Sequence, residues 1–133
     1  MANAIYGLAR KKFLDGDIDL LVDDIKVVLV DSAVYTVSID VDEFLDDITS
    51  VIATSGNLAS KTTTLGVFDA ADITFTAVSG AVSEILVVYK DTGTASTSPL
   101  IAYIDTATGL PVTPNGGDIT VTWDSGGDKI FKI

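Results

Sequence analysis

The sequence predicts a mainly β fold: a single-domain β-sandwich or a partly open β-barrel with one or two short helices. Thr, Ser, Val and Ile are abundant, a bias that favours strands over helices. Short apolar or alternating segments recur, with turn-forming residues at intervals of roughly ten residues. No break in composition and no internal repeat divides the chain, so residues 1–133 are predicted to form one domain. Because helices are also predicted, α+β stays an alternative class.

The first predicted element is a helix over residues 4–14. Apolar residues recur there at helical spacing, namely Ile5, Leu8, Ala9 and Phe13. Asn3 is the expected N-cap, and Gly16 is placed to end the helix. A cluster of cations occupies its last turns, namely Arg10, Lys11 and Lys12. These cations either stabilise the negative end of the helix dipole or contact a partner.

Strands are predicted through most of the remaining chain. Residues 25–30 are apolar on both faces after Lys26 and should form a central strand. Residues 40–48 should form one or two helical turns, because apolar residues recur there at helical spacing. Further strands are predicted at residues 51–54, 58–62, 64–68, 73–78, 83–90, 100–104 and 119–123. Residues 129–133 should then close a C-terminal hairpin after a tight turn at residues 125–128.

The formal net charge is −11, which argues against nucleic acid and anionic membranes as partners, since both need clustered cations. The acidity serves either solubility or attraction to a basic protein surface. Residues 1–8 hold no long apolar run, and the cations follow the apolar residues instead of preceding them, unlike a signal peptide. No apolar run approaches the length of a membrane span. We therefore expect a soluble protein made in the cytoplasm.

Composition also restricts the chemistry. The chain has no Cys and no His, which excludes disulfides, zinc–thiolate sites, thiol catalysis, Ser-His-Asp triads and His-bearing metal sites. Paired carboxylates occur at Asp23–Asp24 and Asp46–Asp47, but adjacent side chains do not face each other on a helix or a strand. We therefore predict a protein that is not an enzyme and needs no cofactor. The glycines match neither dinucleotide nor phosphate-loop spacing.

The acidic run Asp15, Asp17 and Asp19 has the spacing with which a calcium loop begins. An EF-hand would need Gly at the sixth position and Glu at the twelfth, where this chain has Leu20 and Lys26. No metal site is predicted, although a looser surface site for a cation stays open. The alternative is an acidic turn whose side chains accept hydrogen bonds from nearby backbone N–H groups. Aromatic residues are scattered; Trp123 is either a core residue or an exposed one.

Six segments resemble, in order, those of small virion proteins of tailed bacteriophages. They are residues 6–31, 35–48, 53–58, 66–80, 86–105 and 116–133. Within that group the chain is most similar to capsid decoration (cement) proteins. Related small β-rich modules serve in tails and fibres, so a tail- or fibre-associated module that binds a host-surface glycan or protein is the alternative.

The resemblance implies a virion location on the outer surface of the capsid. It implies a homo-oligomer, such as a trimer, that bridges neighbouring subunits of the major capsid protein, with no cofactor. The segments least explained by a core are residues 1–12 and the loops 91–99 and 106–118, which are either contact surfaces or ordinary connections. The contact residues expected from these segments are Tyr6, Arg10, Lys11, Lys12, Pro99, Leu110, Pro111, Val112 and Pro114.

Overall fold

The computed structural model of the protein describes residues 3–107, 109–123, 126–127 and 129–133. Within these ranges the chain forms nine strands and one α-helix, which confirms the mainly β prediction. The elements are β1 (Ala4–Ile5), α1 (Gly7–Asp15), β2 (Ile25–Val30), β3 (Val51–Thr54), β4 (Val67–Phe68), β5 (Ile73–Phe75), β6 (Ile85–Lys90), β7 (Leu100–Ile104), β8 (Ile119–Val121) and β9 (Phe131–Lys132). Single 3-10 turns lie at Leu45–Asp47, Thr64–Gly66 and Ala95–Thr97.

Five strands form one open antiparallel sheet in the order β1-β7-β6-β2-β3. The other four strands form two separate two-stranded antiparallel ribbons, β4 with β9 and β5 with β8. The sheet keeps two edges, β1 and β3, so it is not a closed barrel. Its middle strands β2, β6 and β7 are buried on both faces, apart from the half-buried Lys26 and Lys90. The prediction that residues 25–30 form a central strand is confirmed.

The N-terminal helix begins three residues later than predicted. Ala4 and Ile5 pair with Tyr103 and Ala102 of β7, and the backbone N–H of Tyr6 donates to the carbonyl of Ile101 at 3.0 Å. These residues therefore complete the sheet edge and cannot begin a helix. Tyr6 is the residue at the helix N-cap position, whereas Asn3 binds elsewhere. The predicted end is confirmed: Gly16 follows the helix with φ +80°, a left-handed conformation that suits glycine.

The predicted helical turns at residues 40–48 reduce to the single 3-10 turn Leu45–Asp47. Local competition explains this result, because the Asp47 carboxylate accepts hydrogen bonds from the backbone N–H groups of Glu43 and Phe44. The backbone of Leu45 then bonds to the carbonyl of Ser98 at 2.9 Å. The groups that would build a helix are therefore bound by a carboxylate and by the loop before β7.

Several of the predicted short strands are shorter in the structure than predicted, or are absent. Residues 58–62 form no strand beyond one bridge between Thr62 and Asp69. Residues 64–68 contain a 3-10 turn before β4, and the strand predicted at residues 73–78 ends at Phe75. Ala77, inside the predicted strand, is exposed and has φ +51°, which an extended strand cannot contain.

The predicted C-terminal hairpin is wrong. β9 pairs with β4, and β8 pairs with β5 instead of with the chain that follows it. Aromatic packing accounts for the pairing, since the ring centroids of Phe68 and Phe131 are 5.2 Å apart. Residues 125 and 128 of the predicted turn lie outside the described residues.

Candidate functional site

The three cations of the helix end have different surroundings. Lys12 is 15% exposed, pairs with Glu43 at 2.6 Å and lies over the ring of Phe44 at 5.3 Å from its centroid. Lys11 pairs with Asp15 one turn along the helix, and this hydrogen bond raises the pKa of the lysine. Both are bound within the chain at the end of α1. Arg10 is exposed and lines a cleft described below.

Two of the predicted contact residues are not on the surface. Tyr6 is fully buried, and its hydroxyl lies 2.9 Å from that of Tyr35. Pro99 is also buried, where it forms a β-bridge with Phe44. Because neither side chain is accessible in this fold, the expectation that they contact a partner is corrected for both. Burial follows from β1 and β7, which draw the chain at these positions into the core.

The remaining predicted contacts lie in one loop between β7 and β8. Pro111 is exposed and follows Leu110 through a cis peptide bond. Leu110, Val112 and Pro114 are half-buried, and the first two pack against the core. Two backbone hydrogen bonds, each 2.9 Å long, join Val112 to Ser83. The loop is therefore anchored, with its proline tip accessible.

The N-terminal segment and this loop meet at the β1 edge of the sheet. The Asn3 side chain donates to the hydroxyl of Thr106 at 2.7 Å and accepts from the backbone N–H of Asp105 at 2.8 Å. Beside them lies a cleft of about 840 Å³, which also contacts α1, Trp123 and the C-terminal segment. Its cationic side chains are Arg10, Lys129 and Lys132. We call it the cationic cleft.

The acidic run after α1 acts as a turn. The Asp19 carboxylate accepts from the backbone N–H groups of Leu21 and Val22 at 3.0 and 3.3 Å, while Asp23 accepts from that of Asp19 at 2.8 Å. The predicted role in binding backbone N–H groups is confirmed for Asp19. Among the residues that the structure describes, no three carboxylates are grouped so as to hold a metal ion.

A buried hydrogen-bond network was not predicted from the sequence. The Tyr35 hydroxyl donates to the Asp42 carboxylate at 2.7 Å, so the Tyr6 hydroxyl is the donor in its contact with Tyr35. Burial raises the pKa of both tyrosines well above the ordinary value. The same carboxylate accepts from the backbone N–H of Ser38 at 2.9 Å. This hydrogen-bond network connects the irregular segment after β2 to the start of α1.

Every aromatic residue is buried or half-buried. Trp123 is 7% exposed, and its indole N–H donates to the carbonyl of Ala71 at 3.1 Å. Its interpretation as a core residue is confirmed. Stacking on a sugar ring requires an accessible aromatic face, and no aromatic side chain is fully exposed in this fold.

Replacing Asp91 by asparagine is expected to reduce stability at neutral pH by about 0.5–1 kcal/mol, the scale of a partly exposed ion pair. A hydrogen bond from Lys26 at 2.7 Å, and a second from the backbone N–H of Gly93, lower the pKa of Asp91. The carboxylate of Asp91 therefore stabilises the fold at pH values above 3.8, its pKa in the unfolded chain. This stabilisation is lost as the pH falls through the lower pKa of the folded state.

Urea denaturation between neutral and strongly acid pH measures this effect. We expect Asp91→Asn to flatten the acid loss of stability, while Asp46→Asn, at an exposed position, leaves it unchanged. An acid loss of the same size in Asp91→Asn and the parent chain would contradict the assignment.

Comparison of the chain with protein-family models and with curated proteins found no match. No helix within the described ranges is long and apolar enough to cross a membrane.

Proposed function

We propose that this protein is a non-enzymatic structural component of a tailed-phage virion that binds the outer surface of the assembled capsid. It stabilises the shell by bridging neighbouring subunits of the major capsid protein, because dissociation must then break several contacts at once. The resemblance of six ordered segments supplies the phage context for this proposal. Binding to the assembled state alone shifts the assembly equilibrium toward the shell.

One structural observation supports a contact role. The N-terminal segment and the loop at residues 106–118 are tied together at one edge of the sheet by Asn3. The loop is also held at its middle by Ser83 and near its end by Val78, whose carbonyl accepts from Gly116 at 2.7 Å. An exposed loop whose described residues are already held by hydrogen bonds loses little conformational entropy there when it binds. Pro111 and Thr113 form its accessible tip.

Co-sedimentation of the purified protein with undecorated, expanded heads tests this proposal. We expect saturable binding, and we expect Thr113→Arg to weaken it about tenfold by placing a bulky charge at the loop tip. Thr36→Arg is the matched control, since Thr36 is also exposed but lies outside the loop. Failure of the parent protein to sediment with heads at any salt concentration would refute the capsid role.

The alternative of a tail or fibre module makes a different prediction. Immunogold labelling would then place the protein at the tail tip, whereas the capsid proposal expects label over the head. Eight of the ten aromatic residues are buried and the other two, Phe13 and Phe44, are half-buried, which favours the capsid proposal over glycan recognition by stacking.

A further inference from the structure

The sequence contains three asparagines, and they differ in the residue that follows them. Asn115 precedes Gly116, whereas Asn3 and Asn57 precede an alanine and a leucine. Asparagine is a thermolabile residue, because its side chain loses ammonia when the backbone nitrogen of the next residue attacks its Cγ atom. Glycine favours this ring closure, since it has no side chain to obstruct the approach. Sequence chemistry therefore selects residues 115–116 as a site of covalent self-modification.

The Asn115–Gly116 pair lies on the surface, near the end of the loop at residues 106–118. Both residues are exposed, and Gly116 has φ +88°, a left-handed conformation that suits glycine. Apart from its chain neighbours, no atom of the described residues lies within 4 Å of the position that a Cβ would take at Gly116. Water therefore reaches this site, as the hydrolysis of a cyclic imide requires.

The side-chain oxygen that receives charge in this reaction already has a hydrogen-bond donor. Oδ1 of Asn115 accepts from the backbone N–H of Gly117 at 2.9 Å. Attack at Cγ converts Oδ1 into an oxyanion, and a backbone N–H at this distance stabilises such a charge. The turn at residues 115–117 thus favours attack on the Asn115 side chain.

The attacking nitrogen is bound elsewhere in the folded protein. The N–H of Gly116 donates to the carbonyl of Val78 at 2.7 Å, and the N–H of Val78 donates to the carbonyl of Gly117 at 2.9 Å. We call these two hydrogen bonds the Val78 contact. The proton that the Gly116 nitrogen must lose is the one that Val78 binds. Because the contact must open before the nitrogen attacks, local opening limits the reaction.

We propose that Asn115 is a deamidation site whose rate is set by the opening of the Val78 contact. The Gly116 nitrogen forms a bond to Cγ of Asn115, the bond between Cγ and Nδ2 breaks, and Nδ2 leaves as ammonia with the proton from Gly116. Water then adds to one of the two carbonyl carbons of the cyclic imide and opens the ring, which yields aspartate or isoaspartate. Water is the only co-reactant. The reaction does not depend on the proposed capsid role.

The two products affect the loop differently, although each adds a negative charge to it. Aspartate keeps the length of the backbone, and its carboxylate still accepts from the N–H of Gly117. Isoaspartate routes the backbone through the former side chain and lengthens it by a methylene group, which displaces Gly116 from the carbonyl of Val78. The isoaspartate product should therefore release the end of the loop at residues 106–118.

Peptide mapping by mass spectrometry, on protein incubated at neutral pH with and without guanidinium chloride, tests the proposal. We expect deamidation at Asn115 in both samples, at least about tenfold slower in the folded protein. Asn3 and Asn57 are internal controls and should stay intact. Amide hydrogen exchange at Gly116 reports the same opening, so its protection factor should match the slowing of deamidation to within about threefold. Asn115→Gln should remove the signal.

A variant that loosens the Val78 contact extends this test. Oδ1 of Asp118 accepts from the N–H of Ala77 at 2.9 Å, directly before Val78. Asp118→Ala should raise both the deamidation rate and the exchange rate of the folded protein about threefold to tenfold, and leave the unfolded rate unchanged. Asp46→Ala removes the same charge at another exposed position and should alter neither rate. Circular dichroism verifies that both variants are folded.

Three results would overturn the proposal. The first is a folded protein in which Asn115 reacts as fast as in the unfolded chain. The second is a deamidation rate that does not follow the exchange rate of Gly116 across the parent chain and Asp118→Ala. The third is an unfolded chain in which Asn115 reacts no faster than Asn57.

Discussion

Replacing Phe131 by alanine is expected to lower the free energy of unfolding by about 3–5 kcal/mol, the usual cost of removing a buried aromatic ring. Phe131 is 9% exposed and packs on Phe68, which is 1% exposed. The loss combines the transfer of the ring to water with the cavity left beside Phe68. Urea denaturation followed by circular dichroism measures it.

A matched control separates packing from a general effect at this end of the chain. Ile133 is two residues away and 63% exposed, so Ile133→Ala should change stability by less than about 0.5 kcal/mol. If Phe131→Ala also cost less than about 1 kcal/mol, the pairing of β9 with β4 would be contradicted.

Replacing Tyr35 by phenylalanine is expected to cost about 1–3 kcal/mol, because it leaves buried polar groups without partners. The hydroxyl of Tyr6 loses its acceptor in a fully buried position, and the Asp42 carboxylate loses one donor. Tyr6→Phe should cost less, because Tyr35 then still donates to Asp42. Equal losses of stability in the two variants would contradict the direction assigned to these hydrogen bonds.

The hydroxyls of Tyr6 and Tyr35 should also make the stability of the fold decrease at alkaline pH. Burial raises the pKa of both tyrosines above the unfolded value of 10.0, so their contribution is present below about pH 10. It is lost as the pH rises further, since the unfolded chain releases these protons first. In Tyr35→Phe this alkaline loss should be smaller, as measured by urea denaturation above pH 9 in steps of about one unit.

The strands that the sequence predicts well are those with long apolar runs. β2, β6 and β7 are buried on both faces, so their residues signal the middle of a sheet without information from the rest of the chain. The two-residue strands β1 and β9 carry no such signal. Each exists because a distant strand presents unpaired backbone groups to it.

The surfaces of the molecule likewise divide into those that local sequence predicts and those that depend on distant contacts. The turn at residues 17–24 is visible in the sequence, because Asp19 and the residues whose backbone N–H groups it binds are close along the chain. The cationic cleft is not, since Arg10 meets Lys129 and Lys132 only after β1 and β9 have found their partners. The burial of Tyr6, which the sequence placed at a contact surface, likewise depends on β7 and on Tyr35.

The pairing of β1 and β9 with distant strands has a consequence for the order of folding. During synthesis, β4 must wait for residues 131–132 before its ribbon can form, although it leaves the ribosome much earlier. Ala4 must likewise wait for Tyr103. Topologies dominated by such distant pairings fold on about the millisecond to second scale, slower than helical bundles of similar size. The fold should therefore be completed only after residues 131–132 have been synthesised, with Phe68 exposed to self-association until then.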